Sequence, residues 1–459
     1  MRTNKTLPDG REMSVFQQRM KQMFQPLEYM EEFRKVYGDN FTIKSKSGNH
    51  IVYFSHPLAL KQIFTADTNK LEVGKGNEIL KYIVGSNSVA LLDGEPHRHQ
   101  RKLLAPSFHG DKMRAYGNAI GEITKQVIKN WQDGKPFNIH DSIQEITMRV
   151  ILRVVFGFDE EQRLEELRQI LTNLLELAGH PMISGALLFS FWQRDLGAWS
   201  PWNRLLRLLE KADNLIYSHI REIRASKNQN RNDILSLLMT ARYDDGQAMS
   251  DIELRDELMT MLVAGHETST SALVWAFYWV ARLPTVREKL QKELEIGGME
   301  PSAIALLPYL TAVCQEALRI YPVATSSFSR VVKSPLEIMG YQLPVNTLII
   351  PSIYLAHHRE ETYTNPKQFI PERFLERQFS PYEYLPFGGG NRRCLGMSFA
   401  MYEMKIVLAT VLLQYQISLF NQHPVTPVRR GLILTAPVGM KMVATSVTEQ
   451  SMPLILTFS

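Results

Sequence analysis

The ten residues from Phe387 to Gly396 read Phe-Gly-Gly-Gly-Asn-Arg-Arg-Cys-Leu-Gly, and they constrain this 459-residue chain more than any other stretch. Cys394 is one of two cysteines and stands at the joint between a glycine-rich loop and a long apolar helical run, Leu395 to Tyr415. Backbone amides at a helix N-terminus are unpaired and favour an anion. A thiol placed there is expected to ionise easily and to act as a soft metal ligand. Gly388, Gly389 and Gly390 allow a tight backbone with its amides close to the sulfur, and Gly396 leaves room for a flat group at the start of the helix. Arg392 can meet a carboxylate with two parallel hydrogen bonds. A thiolate, a flat neighbour and an arginine for a carboxylate together suit a haem iron held by cysteine. The alternative for the same residues is a small buried thiol beside an ordinary loop.

Composition narrows the class. The length alone suggests about three domains, yet no low-complexity linker, internal repeat or long charge block divides the chain. Hydrophobic residues make up 44% and charged residues 22% of the sequence, an ordinary globular balance. Cys314 and Cys394 are too few for a disulfide framework and fit a reducing, cytoplasmic compartment. Met1 to Phe24 carries polar or charged residues throughout, so neither a signal-peptide core nor a transmembrane anchor is expected there. A net charge of +5, from 52 basic and 47 acidic residues, is too small a bias to imply nucleic-acid binding.

Periodicity and turn residues give the order of elements. Residues 26–36 read as a helix. Phe41 to Phe54 reads as a hairpin turning at Ser47-Gly48-Asn49, and a helix runs from His56-Pro57 to about Phe64. Asn69 to Asp93 reads as a partly irregular loop. Residues 112–240 are nearly all helical, broken near Asp133-Gly134, Gly157, Gly179-His180-Pro181 and Lys227 to Asn232. The longest helix spans 250–282, with Ser250 as N-cap and Glu253 as its capping-box partner. Pro308 to Ile320 is a helix, and Val323 to Ser352 and Tyr415 to Ser446 are strand-like. The expectation is a mainly α fold with a small β-rich lobe, its β-rich parts at about 37–55, 323–352 and 415–446.

Several segments carry chemistry. In Gly94 to Phe108, Pro96 suits a first helical turn and puts His97 and Arg101 one turn apart. They read either as donors for a haem propionate or as a solvated basic helix. In Ala264-Gly265-His266-Glu267-Thr268-Ser269 a glycine and two hydroxyl residues sit in mid-helix, which is locally costly; a local opening of the helix is one remedy. Glu316 and Arg319 share a helix face. Taken in order, these segments resemble the cytochrome P450 family. Phe387, Gly390, Arg392, Cys394 and Gly396 match its haem-binding signature, and the resemblance covers nearly the whole chain.

The resemblance implies one cytochrome P450 haem domain over residues 1–459, of the P450 fold and the soluble bacterial type, with haem b ligated by Cys394. It assigns His97, Arg101, Arg330 and Arg392 to the propionates, and Ala264, Gly265, Phe387, Gly388 and Gly396 to other haem contacts. The helix opening then makes room for dioxygen, Thr268 offers its hydroxyl to it, and Glu267 relays protons. Glu316, Arg319 and Arg373 form a buried network that holds the cysteine loop. Val323, Ala324 and Thr325 are a strand entry facing substrate, and Leu434 and Thr435 belong to a turn reaching into the pocket. Ala178 to Trp202 is a lid over the substrate channel, or alternatively core packing or a weak membrane contact. Cys314 has no motif around it and reads as structural.

The expected function is a monooxygenase that hydroxylates or epoxidises a hydrophobic substrate, such as a fatty acid or terpenoid-like molecule. It would use molecular oxygen and a separate ferredoxin or flavodoxin type donor with its reductase, since Leu395 to Ser459 is too short for a fused flavin domain. Arg98, Lys102, Lys112, Arg114, Arg393 and Lys405 are expected to form the donor's docking patch. Peroxide-driven and isomerase-type relatives commonly lack the acid–threonine pair kept here. A non-enzymatic haem-thiolate gas sensor or carrier needs no proton relay, and a cysteine hydrolase leaves Arg101, Arg330 and Arg392 unexplained.

Overall fold

The computed structural model describes residues 6–14, 17, 20–21, 25–44, 50–110, 112–157, 161–179, 200–226, 231–298, 300–431 and 433–447. The chain begins with β1 (Gly10–Glu12), α1 (Pro26–Tyr37), β2 (Asn40–Lys44), β3 (Ile51–Phe54), α2 (Pro57–Phe64) and β4 (Leu71–Glu72). Its helical body holds α3 (Gly94–Leu104), α4 (Lys112–Ile128), β5 (Pro136–Asn138), α5 (Ile139–Ile151), α6 (Glu161–Gly179), α7 (Pro201–Ala225) and α8 (Ile234–Thr240). The body continues with α9 (Asp251–Arg282), α10 (Pro284–Gly297) and α11 (Pro308–Ile320). The remainder is β6 (Arg330–Val332), β7 (Leu336–Ile338), β8 (Tyr341–Leu343), β9 (Leu348–Pro351), α12 (Met397–Leu412), β10 (Tyr415–Leu419), β11 (Val428–Arg430), β12 (Ile433–Thr435) and β13 (Lys441–Ser446).

Strands from both ends of the chain make the β lobe. Its main sheet has the order β1-β2-β3-β9-β6-β4, and β10-β13-β5 form a second, three-stranded sheet. The pairs β7-β8 and β11-β12 stand as separate hairpins. The hairpin expected between residues 41 and 54 forms, with Asn40 opposite Phe54; its turn, Ser47-Gly48-Asn49, lies outside the described residues. The same holds for most of the lid segment, of which 180–199 are not described. Residues 323–329 correct an expectation: strand pairing starts only at Arg330, apart from a single bridge between Ser326 and Ser352. Pro322 and the three serines at 326, 327 and 329 keep this piece irregular.

Helix α9 is the axis of the body. Ser250 and Glu253 form the capping box, each side chain bonded to the other's backbone N–H. From Leu254 to Ala281 its apolar residues are buried around most of its circumference, Trp275 completely, as a helix at the centre of a large body must be. It packs on α5, α11 and α12. The expected local opening is absent: the helix runs unbroken from Asp251 to Arg282. The mid-helix residues are accommodated in other ways. A Cβ on Gly265 would sit 2.7 Å from Cδ1 of Ile151, so the end of that α5 side chain occupies the space the glycine leaves. The Thr268 hydroxyl donates to the Ala264 carbonyl. The Thr270 hydroxyl donates 3.0 Å to the His266 carbonyl and lies 2.7 Å from the Thr147 hydroxyl.

Among the carboxyls buried in this body are Glu257 on α9 and Glu403 on α12. Burial pushes both up to about 8, against the hydrogen bonds of Val89 and Gln100 on Glu257 and of Ser269 on Glu403. Oε1 of Glu257 accepts from the Val89 amide at 2.6 Å and from Gln100 at 3.1 Å. An acid raised in the folded state contributes stability that is complete below its unfolded value, near 4.5, and is lost as pH rises through about 8. Glu257→Gln and Glu403→Gln are therefore each expected to flatten the fall in stability across that window, measured by urea unfolding at a series of pH values; a slope unchanged from wild type in both variants contradicts this.

Candidate functional site

The cysteine loop is shaped against α2. Gly388 and Gly390 have φ of +69° and +66°, a region that favours glycine. A Cβ on Gly389 would meet the Phe64 ring at 2.6 Å, and one on Gly390 the Phe64 carbonyl at 2.5 Å. The loop closes with the Cys394 N–H donating 2.9 Å to the Phe387 carbonyl. Gly396 then caps α12, accepting from the Ala400 amide at 2.8 Å. Cys394 is exposed although protein surrounds it, as a side chain bordering an internal cleft is. Its expected easy ionisation is corrected. Burial pushes the thiol up, outweighing the Gly396 hydrogen bond and the charges of Arg101 and Arg393 that pull it down. A bound metal ion would itself remove the proton.

Basic side chains gather beside the thiol. His97 is buried on α3 and is pushed down to about 3 by burial, by Arg392 and by Arg101. Arg101, one turn on, is lowered chiefly by burial, while Cys394 opposes that shift. Arg330 is buried with its guanidinium 4.8 Å over the Phe64 ring and donates 2.7 Å to the Phe328 carbonyl. Burial and Arg392 push it down to about 10. Arg392, also lowered to about 10 by burial, bonds Asp93 at 2.5 Å, the Val89 carbonyl at 3.1 Å and the Leu92 carbonyl. Asp93 also accepts from the Val73 and Gly74 amides at 3.1 and 2.8 Å. Arg392, assigned to a propionate from the sequence, thus has a protein carboxylate as partner here. Sequence reading missed Asp93, whose place just before α3 is the usual position of a capping acid.

This cluster tests whether haem fits. Three arginines and a histidine lie close to one another, Arg101 close also to the accessible Cys394, and Asp93 is the one carboxylate bonded to them in the described contacts. Buried cations demand anions; two propionates would supply them, and the donor set suits them. The residues present fit a cysteine-ligated haem.

On the other side, Ala264 is exposed in the middle of α9, and Gly265, Glu267 and Thr268 are half-buried. Nη2 of Arg430, on β11, stands 4.0 Å from Oε1 of Glu267, a pairing with no sequence signal between residues 163 positions apart. The β11-β12 hairpin is tied to both walls. The Leu434 amide donates 2.8 Å to the Val323 carbonyl, and the Ser271 hydroxyl donates 2.7 Å to the Leu434 carbonyl. Thr435 and Val323 are buried, Ala324 and Thr325 half-buried. The structure thus joins the 323–325 and 434–435 segments to α9.

Glu316 and Arg319 are fully buried and Arg373 nearly so. Arg319 grips Glu316 with two bonds of 2.7 and 2.9 Å, and Arg373 reaches Glu316 at 3.2 Å. The expected trio forms. The expected docking patch is only partly free: Lys405 is half-buried with Nζ on the Ala305 carbonyl at 2.7 Å. Lys102 pairs with Asp244 at 2.6 Å, Lys112 with Asn232 at 2.8 Å, and Arg98 with Glu95. Arg114 and Arg393 are exposed.

The cytochrome P450 family model matches residues 12–443. The chain is 35% identical over 439 residues to a Mycobacterium tuberculosis protein named cytochrome P450 135B1, covering 95% of this chain and 91% of that one. It is 34% identical over 412 residues to one named cytochrome P450 138, covering 90% of each. Among solved structures it resembles cyanobacterial CYP120A1 with retinoic acid bound, at a TM-score of 0.83 and 21% identity over 96% of this chain and all of that one. The haem domain of a cytochrome P450DA mutant gives 0.81 and 19%, over 92% of this chain and 94% of that one. A thiolate-type haem site inside a P450 fold defines the class: the chain belongs to the cytochrome P450 family. It is accordingly an oxidoreductase, a haem-thiolate monooxygenase with haem b as its cofactor. Among the described residues no helix is long and apolar enough to cross a membrane.

Proposed function

We propose that Cys394 is the axial ligand, that His97, Arg101, Arg330 and Arg392 hold the propionates, and that Glu267 and Thr268 manage protons on the opposite side. The observation that carries this is the gathering of four basic side chains around an accessible cysteine, while the other cysteine, Cys314, is fully buried with its thiol pushed up to about 12. Ala264, Gly265, Phe387, Gly388 and Gly396 border the bound group. When bound, haem would supply the redox chemistry by which dioxygen, two electrons, two protons and a substrate yield water and an oxygenated product. The chain's own residues orient and protect. The Thr268 hydroxyl, now on the Ala264 carbonyl, holds a proton that it can pass into the cleft, and Glu267 beside Arg430 replaces it from the protein side. Val323, Ala324, Thr325, Leu434 and Thr435 wall the substrate, and the apolar Val323, Ala324 and Leu434 among them favour a hydrophobic one of fatty-acid or terpenoid type. Glu316, Arg319 and Arg373 act structurally.

For the electron donor we favour a ferredoxin or flavodoxin type protein with its reductase, steered by Lys102, Arg114 and Arg393; Lys405 is withdrawn from that surface. The absence of a long apolar helix among the described residues and the two unpaired cysteines support a cytoplasmic enzyme.

Cys394→Ala is expected to abolish the thiolate-type absorption band of the reduced, carbon-monoxide-bound protein; a normal band in this variant removes Cys394 as ligand. Thr268→Ala is expected to keep haem and substrate binding but to lower product formed per electron donor consumed by roughly tenfold or more, and an unchanged ratio removes Thr268 from proton delivery. Reversing Lys102, Arg114 and Arg393 to Glu is expected to slow reduction by an acidic donor at low salt and to have little effect at high salt. Stopped-flow reduction at the wild-type rate at low salt would place the docking face elsewhere.

A further inference from the structure

The buried trio does not reach the cysteine loop by its own side chains in the described contacts. Beyond each other, Glu316, Arg319 and Arg373 bond the backbones of His357, Thr364, Pro366, Gln368 and Ile370. Of these, His357 turns a ring toward the loop. It is fully buried in the short helical turn Ile353–His357. Its carbonyl accepts from Arg319 Nη1 at 2.9 Å. Its Nδ1 lies 3.2 Å from the Arg319 carbonyl, and its Nε2 lies 2.9 Å from the Leu385 amide.

These two contacts determine the ring's state. A backbone N–H can only donate and a carbonyl can only accept. Nε2 must therefore offer its lone pair, and Nδ1 must carry the single proton. The ring is neutral, in one tautomer, and a second proton on Nε2 would set two N–H groups against each other. Tyr384 stacks on it, with centroids 5.5 Å apart and planes 16° apart, and donates 3.1 Å to the Gln315 carbonyl of α11. Leu385 is where the loop begins: its carbonyl accepts from the Gly388 amide at 2.9 Å, and two residues on the Phe387 carbonyl accepts from Cys394 at 2.9 Å.

We propose that His357 is a positioning residue for the axial cysteine: its neutral imidazole joins the α11 ion network to Leu385 and so anchors the start of the loop that presents Cys394. The proposal rests on the reading of Cys394 as the ligand. A donor and an acceptor on opposite edges of one rigid ring bridge two backbone groups that cannot bond each other. A glutamine can imitate the acceptor; a phenylalanine keeps only the stack.

The test uses the haem-loaded full chain. The thiolate band of the reduced, carbon-monoxide-bound protein is followed in urea beside helix content. His357→Phe is expected to lose the band about tenfold faster than wild type while helix content is still intact, the rate equivalent of one unmade buried hydrogen bond. His357→Gln should restore ligation to near the wild-type rate. A band as durable in His357→Phe as in wild type overturns the proposal, and so does a His357→Gln as weak as His357→Phe, which would assign the effect to ring packing. The unmutated protein gives an independent reading, because nitrogen chemical shifts of labelled histidine report the tautomer in the diamagnetic carbon-monoxide form. A protonated Nε2 on His357 overturns the proposal even if neither variant folds. Cys394→Ala distinguishes the two failures: if it retains the band, the ligand reading falls and this proposal with it, whereas its loss beside a durable His357→Phe rejects His357 alone.

Discussion

Positive charge held out of water beside a cysteine is the constraint on which the rest depends. A buried guanidinium is tolerated only where hydrogen bonds and counter-charges surround it. Arg392 meets this condition with Asp93 and two carbonyls, and Arg330 with one carbonyl and the face of Phe64. Both are still lowered to about 10 by burial. The cluster is thus incompletely neutralised by protein alone, and the surrounding elements are arranged to keep it in place. Helix α3 brings His97 and Arg101, β6 brings Arg330, and the glycine loop brings Arg392. Three distant parts of the chain meet there, which requires a large body rather than a local motif.

The body answers with two rigid supports. Helix α9 passes through the core unbroken, and α11 carries an ion pair with both partners at 0% exposure. Breaking such a pair by removing one partner typically costs about 3–5 kcal/mol, because the other charge is left buried and alone. The geometry of α11 is therefore strongly specified, and the backbones it grips are specified with it. The protein reads as a cytochrome P450 in which fixed α-helical supports bracket a cleft, and in which the loops that meet in that cleft are held by backbone hydrogen bonds.

Much of this was legible before any coordinates. Helix α9 begins where Ser250 and Glu253 predict, and α11 begins and ends where Pro308 and Pro322 predict, since caps and prolines act over three or four residues. The glycines of the cysteine loop were legible for the same local reason. The trio of Glu316, Arg319 and Arg373 was legible only through family resemblance, since 54 positions separate Arg319 from Arg373. What escaped was nonlocal. Asp93 meets Arg392 across 299 positions, β5 pairs with β13 across the whole body, and His357 has a role only once Leu385 lies opposite it. Two of the misreadings share one physical source. The helix opening and the easy thiolate were inferred from local cost, whereas Ile151 packing onto Gly265 and burial of Cys394 are tertiary effects that decide the balance.

The contact between Gly265 and Ile151 sits at the tip of a side chain. A Cβ at 265 would meet Cδ1 of Ile151 at 2.7 Å and no backbone atom of α5. The space between α9 and α5 at this point is therefore bounded by a methyl group that can turn, not by main chain against main chain. A methyl added at 265 and a methyl removed at 151 are opposite changes to the volume of one space, so the two positions are coupled as a pair and neither is fixed alone.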